Sequence, residues 1–225
     1  MISRTAFLFF LASFILFFAL KVDSVAQAGK IGLMGKGFIS NCINLPSEGL
    51  NQHEKQAILT MREEEKLAKD VYQSLYNKWH LPIFMNISRS EARHTQAVRA
   101  LVLKYKLEDP IKNNKLGVYT NQHMKKLYME LVKAGHKSLL QALVVGATIE
   151  DLDIADLQKL LAHVDNRDIR CVFENLMRGS RNHMRAFISQ IRARGGIYKA
   201  QYISDAELDQ IISSGMEKGK GCNKK

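Results

Sequence analysis

The sequence predicts an all-α chain, on three observations. Proline and glycine are sparse, at 3 and 14 of 225 residues. Leu, Ala, Lys, Glu and Met, which lose little conformational freedom in a helix, are abundant. Apolar residues also recur at steps of three and four over four separate stretches, the period of one helix face. There is no internal repeat and no convincing strand pattern. With 46% apolar and 24% charged residues, the composition is globular and excludes disordered, collagen-like and disulfide-dense classes.

The elements follow in chain order. Residues 1–28 read as an export signal: Arg4 gives a basic start, Thr5 to Leu20 is almost wholly apolar, and Ala26-Gln27-Ala28 places small residues where a signal peptidase reads. The apolar run is shorter than the roughly 20 residues that span a bilayer core, so an uncleaved anchor is the second reading. The expected location is therefore periplasmic or secreted, with no stable membrane insertion after cleavage. Residues 29–50, with five glycines and Pro46, form a strap without periodicity.

A first helix is expected from Asn51, where Glu54 completes a capping-box pattern, to about Trp79. Pro82 ends the following connection, and Ser88-Arg89-Ser90-Glu91 reads as a second capping box that opens a helix to about Leu107. Residues 110–119 are a loop, and Thr120 to Ala134 is a shorter helix closed by Gly135. Ser138 begins a third long helix that runs to about His163. The segment Asp165-Asn166-Arg167-Asp168 caps a fourth that runs to about Arg194, before Gly195-Gly196. Ser204 opens a small helix, and residues 213–225 are a basic tail. The expected helical domain is 51–212, four long helices with a short helix in the crossover between the second and third.

The charge of +11 is spread over solvated helix faces, and its densest cluster is Lys218, Lys220, Lys224 and Lys225 in the tail, so no nucleic-acid partner is expected. Of three cysteines, Cys42 and Cys222 could pair and clip the termini together; three unpaired thiols is the equal alternative.

The informative residues are the polar ones on the apolar stripes. Glu65 interrupts Ile58, Met61, Ala68, Tyr72 and Leu75. Glu91 and His94 interrupt Ile87, Val98 and Leu101. Glu150 lies among Leu143, Ala147, Ile154 and Leu157, and Ser180 and His183 lie between Leu176 and Phe187. Burying an unpaired carboxylate costs several kcal/mol, and no Lys or Arg shares these stripes, so a cation is the natural counter-charge. Each residue has a plainer reading. The run Glu63-Glu64-Glu65 could be a solvated surface with Glu64 or Glu65 inward, and Glu91 could serve only as a cap. Glu150 could belong to an exposed acidic turn with Asp151, Asp153 and Asp156, His183 could be a hydrogen-bonded core histidine, and Tyr72 reads first as packing. His53, His80, His123, His136 and His163 read as surface.

These positions resemble the ferritin-like carboxylate metal proteins, in which two helices each give a Glu and two give Glu-x-x-His. The runs EEEKLAKDVY, SEARH, VGATIEDLDIADL and GSRNHMRAF look like a bacterial and archaeal ferritin-like family of unknown function, over roughly residues 47–212. The resemblance implies a ferritin-like four-helix bundle with Glu65, Glu91, His94, Glu150 and His183 as ligands. Tyr72 would then lie behind the ligands as a donor. The hard donors favour Fe or Mn as cofactor, and the resemblance to the wider superfamily implies oxidation of Fe(II) with O2 or peroxide, or peroxide breakdown. The chain departs from the pattern at Ser180, where that family carries a second bridging Glu; Asp153 could replace it. An asymmetric two-metal site comes first in expectation, then a mononuclear site, then one that has lost its metal. The reading from a different class is a non-catalytic helical interaction module, and a homodimer is compatible with either.

Overall fold

The computed structural model describes residues 41–218, so the expected export signal, most of the strap and Cys222 lie outside the described residues. Within them the chain is all-helical, with no strand. After a helical turn at residues 41–43 come α1 (Gln52–Trp79), α2 (Pro82–Lys104), α3 (Gln122–Gly135), α4 (Leu139–Leu161), α5 (Arg167–Arg192) and α6 (Asp205–Ser213). None of them is long and apolar enough to cross a membrane.

Most boundaries follow from local chemistry. Asn51 accepts the N–H of Glu54 at 2.8 Å, and the Glu54 carboxylate accepts the N–H of Asn51 at 3.1 Å, which is the expected capping box. Ser138 and Ser204 cap α4 and α6 through the N–H groups of Gln141 and Glu207. The expectation for α2 needs correction. The helix starts at Pro82, which occupies the first turn where its missing N–H costs nothing. Ser88 lies in the second turn, and its hydroxyl donates to the Lys69 carbonyl on α1 instead of capping.

The most extensive packing is of α1 on α2 and of α4 on α5; α2 also meets α5 and α1 meets α4, while α3 bridges α1 and α4 and α6 rests on α5. The stripes read from sequence are the buried ones: Ile58, Ala68, Val98, Leu101, Leu143, Ile154, Phe173 and Phe187 are at most 1% exposed. The crossover is held by Lys66, itself buried, which donates to Asp70 and to the Lys115 carbonyl. Asp70 in turn accepts the N–H of Gly117 and the hydroxyl of Tyr119.

The cysteine pairing expected from the sequence is also corrected. Cys42 is bonded to Cys171 in the second turn of α5, across 129 residues, so the strap is fastened to the helices and not to the tail. Cys42, Val172 and Leu176 share one apolar cluster with Ile58 and Leu101.

Candidate metal centre

Four helices each contribute to one polar cluster, in which Glu65, Glu91, Glu150 and His183 are buried and His94 is partly exposed. Glu65 comes from α1, Glu91 and His94 from α2, Glu150 from α4 and His183 from α5. Glu91 lies between the two imidazoles. Its Oε1 is 2.7 Å from His183 Nδ1, and its Oε2 is 2.7 Å from His94 Nδ1. Glu65 Oε2 is 3.3 Å from His94 Nδ1, and Glu150 Oε2 is 3.5 Å from His183 Nδ1. The imidazole centroids are 5.7 Å apart. Two triads result, Glu65–Glu91–His94 and Glu91–Glu150–His183, in each of which the donor atoms lie within 4.8 Å of one another.

These contacts are close without having hydrogen-bond directions. Among the described residues, Glu65 Oε2, Glu91 Oε1, His94 Nδ1, Glu150 Oε2 and His183 Nδ1 are buried and have no hydrogen-bond partner. Native interiors seldom leave such atoms unsatisfied, because each costs about 1–3 kcal/mol or more when charged.

Burial is the largest single influence on each of the five groups, and the neighbours together either reinforce or outweigh it. Burial raises Glu65, with Glu91 adding and His94 opposing, to about 8. Burial also raises Glu150 against the pull of His183. Glu91 is the exception: burial pushes it up, but the two imidazoles outweigh that and hold it well below the usual carboxylate range. Burial would lower both histidines. The carboxylates override it, taking His183 to about 9 and His94 well above its ordinary value.

The remaining candidates surround this cluster. Tyr72 is fully buried and donates its hydroxyl to Glu150 Oε1 at 2.6 Å, with the Gly146 carbonyl 3.2 Å away. Ser180 is buried, but its hydroxyl donates to the Leu176 carbonyl one turn back on α5. Glu64 and Asp153 are buried beside the two triads without belonging to either. His53, His80, His123, His136 and His163 are all exposed, as read from sequence. Sequence reading missed Gly179. A Cβ there would stand 2.5 Å from His94 Cε1 and 2.6 Å from its Nε2, so the imidazole occupies space that only a glycine leaves open.

Comparisons with known proteins agree on the family. Residues 54–215 match the Uncharacterized protein domain (DUF2202). The chain is 53% identical over 176 residues to the Uncharacterized protein MJ0754 of Methanocaldococcus jannaschii, covering 78% of this chain and 95% of that one. The crystal structure of hypothetical protein MJ0754 from Methanococcus jannaschii superposes with a TM-score of 0.76 at 53% identity, over 77% of this chain and 99% of that one. The chain therefore belongs to the family of the Uncharacterized protein domain (DUF2202).

Proposed function

We propose that this protein is an exported ferritin-like four-helix bundle that binds Fe or Mn through Glu65, Glu91, His94, Glu150 and His183. The observation that carries the reading is the set of five buried donor atoms, from four helices, that converge without hydrogen-bond partners among the described residues. Hydrogen bonds would satisfy such a set pairwise; converging lone pairs suit a shared cation. Three carboxylates and two imidazoles are hard and borderline donors, with no thiol, which favours Fe or Mn.

In this arrangement Glu91 spans the centre, with Glu65 and His94 on one side and Glu150 and His183 on the other. Tyr72 orients Glu150 by donating its hydroxyl proton to Oε1 across 2.6 Å between the oxygens, as partners behind metal ligands commonly do. Ser180 leaves the site one carboxylate short, so the asymmetric two-metal arrangement is preferred over a mononuclear one. A bound Fe or Mn supplies redox chemistry toward O2 or peroxide. The export part of the reading draws support from the Cys42–Cys171 bond, since disulfides persist mainly in oxidising compartments.

A second reading has its own observation. Glu91, held ionised between two imidazoles that it raises, is a self-compensating network, which a non-catalytic helical module with a degenerate site would also contain.

Metal analysis of protein purified from its native compartment, followed by thermal unfolding, separates the two. A metal at 100 times its Kd stabilises the native state by about 2.7 kcal/mol. EDTA should therefore lower Tm, and Fe(II) or Mn(II) should restore it. A chain that carries no transition metal, takes none up and ignores EDTA is the second kind of protein.

A further inference from the structure

We infer that the seam between α1 and α4 is an inlet for divalent cations, in which Glu64 and Asp153, with Asp156 at the outer end, form a transit site for a hydrated metal ion on its way to Glu65 and Glu150. The inference rests on the metal-binding reading of the core.

The geometry of α4 carries the first half of the argument. Glu150, Asp153 and Asp156 are spaced by three residues. Each such step advances about 4.5 Å along a helix and turns about 60° back around it. A row at this spacing therefore winds from the core face to the surface, and burial follows it: Glu150 is 0% exposed, Asp153 6%, and Asp156 is half-buried. At the outer end Asp156 meets the exposed Lys159 at 2.8 Å, an ammonium that can swing into solvent and give up its place to a cation.

The second half comes from α1. Glu64 precedes the candidate ligand Glu65 and is 7% exposed, yet its Oε2 is buried without a hydrogen-bond partner among the described residues. The strongest charges acting on Glu64 are Asp156, Glu65 and Glu63, with Lys159 the opposing one. Those acting most strongly on Asp153 are Glu150, Glu65, Glu64 and Glu91, all acidic. A carboxylate buried for structural reasons is normally hydrogen-bonded or paired. Glu64 is neither at Oε2, and it is close enough to both Asp156 on α4 and Glu65 in the core to feel their charge. Carboxylates without imidazole suit a hard cation that keeps much of its water, which is what a passing ion does.

The test is rapid mixing of Co(II) with the full-length metal-free protein, followed by absorbance as the ion reaches the His-containing core. Glu64→Gln, Asp153→Asn and Asp156→Asn are compared with wild type. The expected result is uptake slowed about tenfold, with unchanged final stoichiometry and unchanged stabilisation by bound metal. Rates within about twofold of wild type overturn the inference, as does a fall in stoichiometry, which would make these residues ligands of the core. Asp156→Asn is a near-isosteric change at the most exposed of the three positions and outside both triads, so the test survives if the other two variants fail to fold. If wild type itself takes up no Co(II), the metal-binding reading fails and this inference with it; uptake that is indifferent to the three substitutions overturns the inlet alone.

Discussion

His94 reaches the cluster because residue 179 has no side chain. Gly179→Ala places a methyl group 2.5 Å from the imidazole, which must tilt away or force α2 and α5 apart. Overpacking of this kind costs about 1–3 kcal/mol, so a lower urea midpoint is expected together with loss of the metal-dependent part of Tm. Glu91→Gln is the complementary test. It keeps the volume but removes the charge between two imidazoles, and breaking a buried charge pair of this kind costs about 3–5 kcal/mol. Denaturant unfolding in EDTA should show that loss, and adding Fe(II) or Mn(II) should no longer raise Tm. At this scale the sequence was legible where a polar residue broke an apolar stripe, as at Glu65, Glu91, His94, Glu150 and His183. Gly179 was illegible because a glycine in a helix reads only as a propensity cost, and the ring it accommodates lies 85 residues away on another helix.

Among elements, the helix ends are joined through groups whose sequence reading was purely local. Glu54 serves as the capping-box residue of α1, but its Oε1 also accepts the N–H groups of Asp165 and Asn166 at 3.0 and 2.8 Å, and its Oε2 accepts the Asn166 amide at 3.0 Å. One carboxylate thus ties the start of α1 to the start of α5. Hydrogen bonds to a charged group contribute about 1.5–3 kcal/mol each, so Glu54→Ala should cost more than an ordinary cap. A drop of at least about 2 kcal/mol in urea unfolding is expected, against about 1 kcal/mol if only the local box mattered. The start of α2 was misread for a related reason. Ser88-x-x-Glu91 has the capping-box spacing, but the serine hydroxyl is taken by Lys69 on α1 and the glutamate by two histidines. Lys66 meets Asp70 one turn on in α1, but both are buried because the crossover supplies the Lys115 carbonyl, the Gly117 N–H and the Tyr119 hydroxyl, and Arg62 is buried against Asp109; these partners from outside α1 are what no helical periodicity reveals. After α6, Glu217 is held by Arg181 and Arg185 on α5, and those guanidinium groups, Arg181 first, lower its carboxyl to about 2. A depressed carboxylate stabilises the docked segment above its unfolded value near 4.5 and loses that contribution as pH falls toward 2. Protection factors of the amides in residues 214–218, taken against the intrinsic exchange rate at each pH, should therefore fall across that window, and Glu217→Gln should flatten the dependence.

For the molecule as a whole, the Cys42–Cys171 bond bears on both stability and compartment. It closes the chain across 129 residues, and cross-linking a loop of that length removes denatured-state entropy equivalent to about 5 kcal/mol at 25 °C in the chain-entropy model. Native bridges in practice contribute about 2–5 kcal/mol, against total stabilities of about 5–15 kcal/mol for typical domains. The native side of the bridge is well anchored. Cys42 is fully buried in the cluster with Ile58, Leu101 and Val172, and the Asn175 amide donates to the Cys171 carbonyl at 2.6 Å. Reduction therefore releases the strap from an apolar surface that stays in place, and the penalty falls mainly on the unfolded state. The Cys42→Ser, Cys171→Ser double variant should lose about 2–5 kcal/mol of unfolding free energy and be insensitive to dithiothreitol, while wild type should fall to nearly the same stability when reduced. Because Cys42 and Cys171 lie at the end of the helices where Ile58 and Leu157 pack, one or more turns from Glu65 and Glu150, metal uptake by the reduced chain should persist wherever the fold does. A reduced protein that folds but binds no metal would place the strap in the metal centre's support, whereas a reduced protein of unchanged stability would mean that the bridge is dispensable to the fold.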